Sequence, residues 1–421
     1  MKLVKLLERL EYTCLQGSLD KDVTDIVNDS RKVSEGSLFF CIKGAVSDGH
    51  QYVPDVVKKG AKVLVVQDEV EAPEDVTVIR VKDSRYAMAY IAAAWYEYPA
   101  EKLKVIGITG TKGKTTTTYM IKSILEAAGH KVGLIGTIEA IIGDKVIPAR
   151  NTTPESTTVQ AYFAQMLEAG WDCVVMEVSS QGLMLFKPCR HGILNVDDPH
   201  VEEILAGHTC DVVTYGFGEK ADYRASETQL VSRPGYLGID YHVTGKCNFR
   251  VEIDIPGKFS VYNSLAAIAV CDYFGVSEEK MIPALNQAKV KGRIEMMKVS
   301  DDFTLMIDYA HNARSRRFEM GEVSGRLADF TIITSDNPRY EDPEAIMEDI
   351  VTGISKTDGT YIKISDRKEA IAYAIRHGQP GDVIVLAGKG HEDYQEICGV
   401  KYPMDERVLI REILEEEKAQ I

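Results

Sequence analysis

Short apolar runs and helix-period repeats alternate along most of this chain. Apolar runs at residues 37–42 and 61–66 read as buried strands, and 53–59 and 86–96 repeat with a helical period. Residues 1–98 therefore form a small α/β domain, with 98–102 (Tyr-Pro-Ala-Glu-Lys) as a linker. Strands at 132–138, 173–178 and 212–215 then alternate with a helix at 159–169, which implies a parallel sheet with helices on its faces. Residues 225–255 switch to a period of two, the mark of antiparallel strands, and helices follow at 262–274 and 278–287. From Met297 the pattern resumes, with strands at 304–307, 330–334 and 383–386 and helices at 345–354 and 367–377. The expected fold class is α/β in three domains, 1–98, 99–296 and 297–421, the second a parallel sheet with a small antiparallel subsheet. There is no internal repeat, and the charged run at 415–418 reads as a solvated helix end.

Residues 1–10 read as an amphipathic helix with charges throughout, unlike a signal peptide, and no apolar run approaches the ~20 residues of a membrane span. The 421 residues carry a formal net charge of −15, which argues against nucleic acid and anionic membranes as partners. Local basic sites still permit anionic small molecules. Eight scattered cysteines without a C-x-x-C pair suggest reduced thiols in a cytoplasmic protein.

One stretch changes the picture most. Residues 107–117 read Gly-Ile-Thr-Gly-Thr-Lys-Gly-Lys-Thr-Thr-Thr, between an apolar run and a helix-period segment. Strand, glycine-rich turn, Lys-Thr and helix are the layout of a phosphate-binding loop. The backbone N–H groups of Gly110, Thr111, Lys112 and Gly113, with Thr116 at the helix start, would curl around phosphate oxygens. Lys114 would neutralise the outer phosphates and the Thr115 hydroxyl would hold Mg²⁺. Ile108 stands where the strict pattern has glycine, so the match is to a variant. An ordinary glycine-rich turn is the plain alternative; three glycines with Lys-Thr point instead to ATP.

Polar groups also cluster where other strands end, the place where open α/β sheets bind ligands. Glu177 closes the apolar run from Cys173 and could reach a magnesium ion, or could cap the next helix. Asn151-Thr-Thr-Pro-Glu-Ser156 suits an acidic substrate or a simple helix start. Asp308 and His311 end another strand, where a histidine is more often structural. Asp336-Asn-Pro-Arg339 could clamp a zwitterion, and Gly388-Lys-Gly-His-Glu392 repeats the strand, glycine turn and charge design.

Taken together, these motifs resemble the Mur ligases. The matching features are Asp29-Ser-Arg31, Gly36 with Leu38-Phe39, Asp48-Gly49, the Thr-Gly-Thr-Lys-Gly-Lys-Thr loop, Asn151-Thr-Thr153, Glu177-Val-Ser-Ser180, Asn263, Gly292-Arg-Ile-Glu295, Asp308-Tyr-Ala-His-Asn312, Asp336-Asn-Pro-Arg339 and Gly388-Lys-Gly-His-Glu392. The resemblance implies three domains that bind a UDP-sugar, ATP and an amino acid in turn, the central one a phosphate-loop ATPase and the last Rossmann-like. The implied reaction is ATP-dependent addition of meso-diaminopimelate to UDP-N-acetylmuramoyl-L-alanyl-D-glutamate through an acyl phosphate. That step belongs to peptidoglycan precursor synthesis, hence to cell-wall growth, shape and division.

By the same resemblance, Lys114, Glu177, Arg293 and His311 are catalytic, with Thr115 and Glu177 on the metal. Asn263 and Asp308 contact the nucleotide; Ser30, Thr152, Thr153 and Ser179 contact the UDP-substrate. Asp336, Asn337, Arg339, Gly388 and Glu392 hold the amino acid, Arg339 pairing with a carboxylate and Asp336 and Glu392 taking the ammonium end. Lysine-adding relatives lack this arginine. A cytoplasmic monomer is expected.

Two segments of the family pattern are absent. After Ser-Ser-x-Gly-Leu the family has a strand, an Asp-His pair and a helix bearing a lysine that becomes carbamylated; here Leu185 runs directly into Phe186. Lys187 does not stand in that lysine's context. After Ala313 a helix and a glycine-ended strand are missing, and Arg314 stands where an arginine of that junction contacts the amino acid. Each loss should remove a strand from a parallel sheet. A Mur-like protein that binds without ligating, a lysine-adding ligase and a folylpolyglutamate synthetase are the competing readings; the Asp-Ser-Arg domain argues against the last.

Overall fold

The runs Ser37–Phe40 and Val63–Val66 hold no exposed residue, a pattern that requires cover on both faces. In the computed structural model, which describes residues 1–44, 47–179, 189–233, 236–310 and 314–419, they lie inside a five-stranded sheet. Its order is Thr13–Gln16, Thr77–Arg80, Val63–Val66, Ser37–Phe40, Asp25–Val27, all parallel except the first. Leu38, Phe40, Val63 and Val65 point to one core, shared with Leu3, Leu6, Met88 and Ile91; Phe39, Leu64 and Val66 point to the other. The helix Ser84–Trp95 starts where the Asp83 carboxylate accepts from the N–H groups of Arg85 and Tyr86.

The expected N-terminal helix shrinks to Leu3–Leu6. The N–H of Leu3 bonds instead to the carbonyl of Lys21, and Lys2 pairs with Asp20 and Asp22, tying the segment's start to the next loop. The expected linker is also a packed turn. Pro99 is buried in a 3₁₀ turn, Pro99–Glu101, and the Arg9 guanidinium sits 3.7 Å over the Tyr98 ring.

The second sheet has the order Lys104–Ile108, Cys173–Glu177, Val132–Ile135, Glu139–Ile142, Lys145–Pro148. Its first three strands are parallel and its last two form antiparallel additions. A third sheet runs His191–Asn195, Asp211–Gly216, Tyr223–Arg233, Tyr236–Gly245, Phe249–Ile253, the last three antiparallel as the period-two pattern requires. Compactness divides the chain into residues 1–192 with 209–211, and 193–208 with 212–421. The division falls inside the expected 99–296 block, just beyond the Leu185–Phe186 join, which lies outside the described residues.

The strands of the C-terminal region fall into separate sheets. Glu295–Met297, Thr304–Tyr309 and Val383–Gly388 form one sheet, while Thr331–Ile333 and Tyr361–Lys363 form a separate pair. Here Val383–Gly388 is an edge strand, with Val383 and Val385 about half exposed.

Candidate active site

In the first unit, Lys104–Ile108 ends in the glycine turn and the helix Lys114–Ala127 begins at once. Gly113 caps that helix with φ 79°, a conformation that favours glycine, and leaves the first helical N–H groups turned to the loop. The Lys114 ammonium folds back to donate to the Gly110 carbonyl at 2.7 Å, while Thr115 and Thr116 are buried. Thr111 and Lys112 complete an exposed loop.

Glu177 pairs in register with Ile108, so its carboxylate lies at the strand end that opens the phosphate loop. It is almost fully buried and accepts from Thr137 twice, from the backbone N–H at 2.8 Å and the hydroxyl at 3.0 Å. Gly136 is required beside it, because a Cβ there would fall 2.6 Å from a Glu177 carboxylate oxygen. The Thr137 hydroxyl, whose one proton goes to Glu177, accepts from the Thr152 hydroxyl at 3.1 Å; Thr153 donates to the Glu177 carbonyl and accepts from the N–H of Ser179. The structure thus gathers Thr152, Thr153, Glu177 and Ser179 in one network. Thr137 is the member sequence reading missed. The signal was present, since Gly136-Thr137 follows the apolar run at 132–135 just as the other polar clusters follow their strands. Burial pushes the Tyr119 phenol up, helped by its bond to Glu139 and by the Glu177 charge.

Ser30 lies apart from this network, on a turn where its carbonyl accepts from Lys59. Beside it Arg31 grips Asp29 with two donors, at 2.9 and 2.8 Å, holding that carboxyl well below the usual range.

In the second unit, Asp308 ends the strand Thr304–Tyr309; burial pushes its carboxyl up, against the N–H of Ile294 that it accepts. The Arg293 guanidinium covers the Tyr309 ring at 4.5 Å, and the His391 ring lies against the same tyrosine. Gly292 lets the two loops touch, since a Cβ there would be 2.0 Å from the backbone of Gly390 and His391. Burial, then the charges of Arg293, Lys291 and Arg407, push the His391 imidazole down to about 4, so it is neutral at physiological pH. Asn263 lies on the helix Lys258–Tyr273, and His311 lies outside the described residues.

A pocket in this unit is lined by Tyr309, Ala310, Asp336, Asn337, Arg339, Gly388 and Glu392. It collects the five residues that the two motifs single out. The Arg339 N–H bonds to the Glu396 carbonyl, and its side chain stays largely exposed, 3.8 Å from the Glu396 carboxylate. Asn337 donates to Glu392 at 2.6 Å. Arg314 is exposed at the start of Arg314–Leu327 and does not line the pocket; Arg317, one turn on, is the buried arginine there and pairs with Glu341 and Asp349.

Family models match most of the chain. The Mur ligase family catalytic domain matches residues 22–96, the Mur ligase middle domain 108–191 and 183–271, and the Mur ligase glutamate ligase domain 312–390. UDP-N-acetylmuramoyl-L-alanyl-D-glutamate--2,6-diaminopimelate ligase 1 of Clostridium acetobutylicum is 39% identical over 485 residues, covering 99% of this chain and all of that one. The chain belongs to the Mur ligase family. The corresponding ligase of Caldanaerobacter subterraneus is 38% identical over 484 residues, covering 99% of each chain. A solved diaminopimelate ligase structure has the same fold, with TM-score 0.70, 22% identity and 99% of both chains covered. The α/β class expected from the hydropathy pattern is therefore that of the Mur ligases. Both alignments run longer than this chain, 485 and 484 positions against 421 residues, so these Mur ligases carry dozens of residues with no counterpart here. The middle-domain match comes in two pieces whose overlap, 183–191, includes the Leu185–Phe186 join.

Proposed function

We propose that this chain is an ATP-dependent amide-bond-forming ligase that adds meso-diaminopimelate to UDP-N-acetylmuramoyl-L-alanyl-D-glutamate. The observation that carries the reading is the pocket, where Asp336, Asn337, Arg339, Gly388 and Glu392 line one cavity. Carboxylates in its wall suit an ammonium, and the exposed Arg339 fork suits a carboxylate in bidentate geometry. The three blocks 1–98, 99–296 and 297–421 take the UDP-substrate, ATP and the amino acid respectively.

The chemistry proceeds in two steps. The free D-Glu carboxylate attacks the γ-phosphorus and ADP leaves, giving an acyl phosphate. The amine of diaminopimelate then attacks the acyl carbon, phosphate leaves, and the amine loses a proton. Lys114 and Arg293 oppose the charge that develops on the phosphoryl group, and Gly110 to Thr116 hold its oxygens. Asn263 and Asp308 hold the nucleotide, and Thr152, Thr153, Ser179 and Ser30 hold the UDP-substrate. A hydroxyl on Thr115 and a carboxylate on Glu177 are a donor pair of the kind Mg²⁺ takes, and the ion would supply charge stabilisation. Thr137 fixes the Glu177 carboxylate for that purpose. The test is phosphate release from ATP: it should require both UDP-substrate and diaminopimelate, and release without either would remove the assignment.

A further inference from the structure

Among the charged groups of the pocket region, Lys389 has no established part in the reading above, yet its surroundings are the most constrained. Its side chain is fully buried, and Nζ donates to Asn337 Oδ1 at 2.9 Å and to the Tyr394 carbonyl. The same nitrogen lies 3.5 Å from Asp336 Oδ1 and 3.6 Å from Glu392 Oε2, and 5.2 Å from the centre of the Tyr394 ring. Asn337 spans the arrangement, accepting from Lys389 and the N–H of Glu396 while donating to Glu392. Nearby, Glu406 is buried against Arg367, which also donates to the Ala387 carbonyl. Tyr309 is a neutral phenol whose titration burial pushes up, and Arg339 with Glu396 forms an exposed pair at the pocket mouth.

Among the described residues, the charges around Lys389 are three carboxylates, the partly buried Asp336 and Glu392 and the buried Glu406, against two cations, Lys389 and Arg367. One negative charge is left over. Lys389 Nζ lies within 3.6 Å of both pocket carboxylates, and a cation so placed offsets their mutual repulsion. We propose that Lys389 is a positioning residue that keeps Asp336 and Glu392 ionised together, so the pocket presents a single net negative charge to one ammonium group. This rests on the amino-acid-pocket reading. It adds why the pocket has two carboxylates for one ammonium, and why a lysine can lie under a cation-binding surface.

Net charge tests it directly. Capillary electrophoresis at pH 7 should show Lys389→Met with the same mobility as the wild type, whose formal charge is −15, because one carboxyl takes up the proton that replaces the lysine charge. Lys145→Met, at an exposed hairpin position, should shift by about one negative charge. Calorimetry in buffers of different ionisation enthalpy should then show diaminopimelate binding Lys389→Met roughly tenfold more weakly, with release of about one proton. A Lys389→Met protein one charge more negative than the wild type would overturn the proposal. If that variant does not fold, Lys389→Met with Glu392→Gln restores the balance and should fold; failure of the pair as well would make Lys389 a packing residue and overturn it too. A Lys389→Met protein that gives the expected mobility, alongside a wild type that binds no diaminopimelate, would refute the pocket reading and leave the charge role of Lys389 standing.

Discussion

At the scale of single residues, the site is built from side chains whose charge is fixed by one or two partners. Lys114 is the simplest case. Its ammonium donates to a backbone carbonyl, which leaves its charge available to a phosphate. Replacing it with alanine should weaken ATP binding about 10–100-fold, the worth of a charge-assisted contact of ~1.5–3 kcal/mol, while the far-ultraviolet circular dichroism stays unchanged. Unaltered ATP affinity by calorimetry would contradict the phosphate-loop assignment. On the pocket reading, Arg339 is the residue expected to select between amino acids. Lysine has no second carboxylate and leaves the guanidinium unpaired, so wild type should bind diaminopimelate more tightly than lysine, and Arg339→Ala should erase most of that difference. Retained discrimination in the mutant would move the selecting group elsewhere.

His391 gives the residue-scale pH dependence. Its folded value, about 4, lies below the ordinary 6.5, so the unfolded chain binds a proton first as pH falls. Stability is thus lost between pH 6.5 and 4 and is flat in this group above that window. With the ring partly open to solvent, the effect is on the order of 1 kcal/mol. Urea denaturation of His391→Gln should show a shallower fall across that window than wild type; parallel curves would refute the buried neutral imidazole.

At the scale of elements, most of the fold was legible because burial and period agree. The helices at 278–287 and 367–377 appear within the bounds their repeats imply, as Glu278–Gln287 and Arg367–His377. The antiparallel sheet follows from its alternation. The network around Thr137 was harder to read, because Thr137, Thr152 and Glu177 come from three separated segments joined only by strand register. The N-terminal helix failed for a similar reason, since tertiary bonds at Leu3 and Lys2 outweigh local amphipathicity. The C-terminal strands divide between two sheets, which leaves Val383–Gly388 at an edge. A strand covered on both faces would lose ~1–3 kcal/mol on replacing an apolar side chain with a hydroxyl. Val385 is 52% exposed, so Val385→Thr should change stability by no more than ~0.5 kcal/mol in a denaturant titration. A loss above ~2 kcal/mol would mean that this face is covered in solution.

At the scale of the whole molecule, the two joins decide how well the chemistry runs. By the family resemblance, the segment absent at the first join would carry an Asp-His pair and a lysine that becomes a carbamate; residues 180–188 around it lie outside the described residues. The phosphate loop, Glu177 and Thr137 are intact, so ATP should still bind. The acyl-phosphate step is more demanding, because the γ-phosphorus and the attacking carboxylate must be held together within a few tenths of an ångström, and a misplacement of ~1 Å can cost ~100-fold. The expected outcome is nucleotide binding close to that of the Clostridium acetobutylicum relative, with tripeptide formation at least ~100-fold slower. Product would be followed by mass spectrometry, on a preparation whose intact mass corresponds to 421 residues. Restoring the relative's segment between Leu185 and Phe186 should recover part of the rate without changing ATP affinity. A ligation rate equal to the relative's would show that groups still present in this chain carry the metal-bridging role, with Lys187 the first to replace.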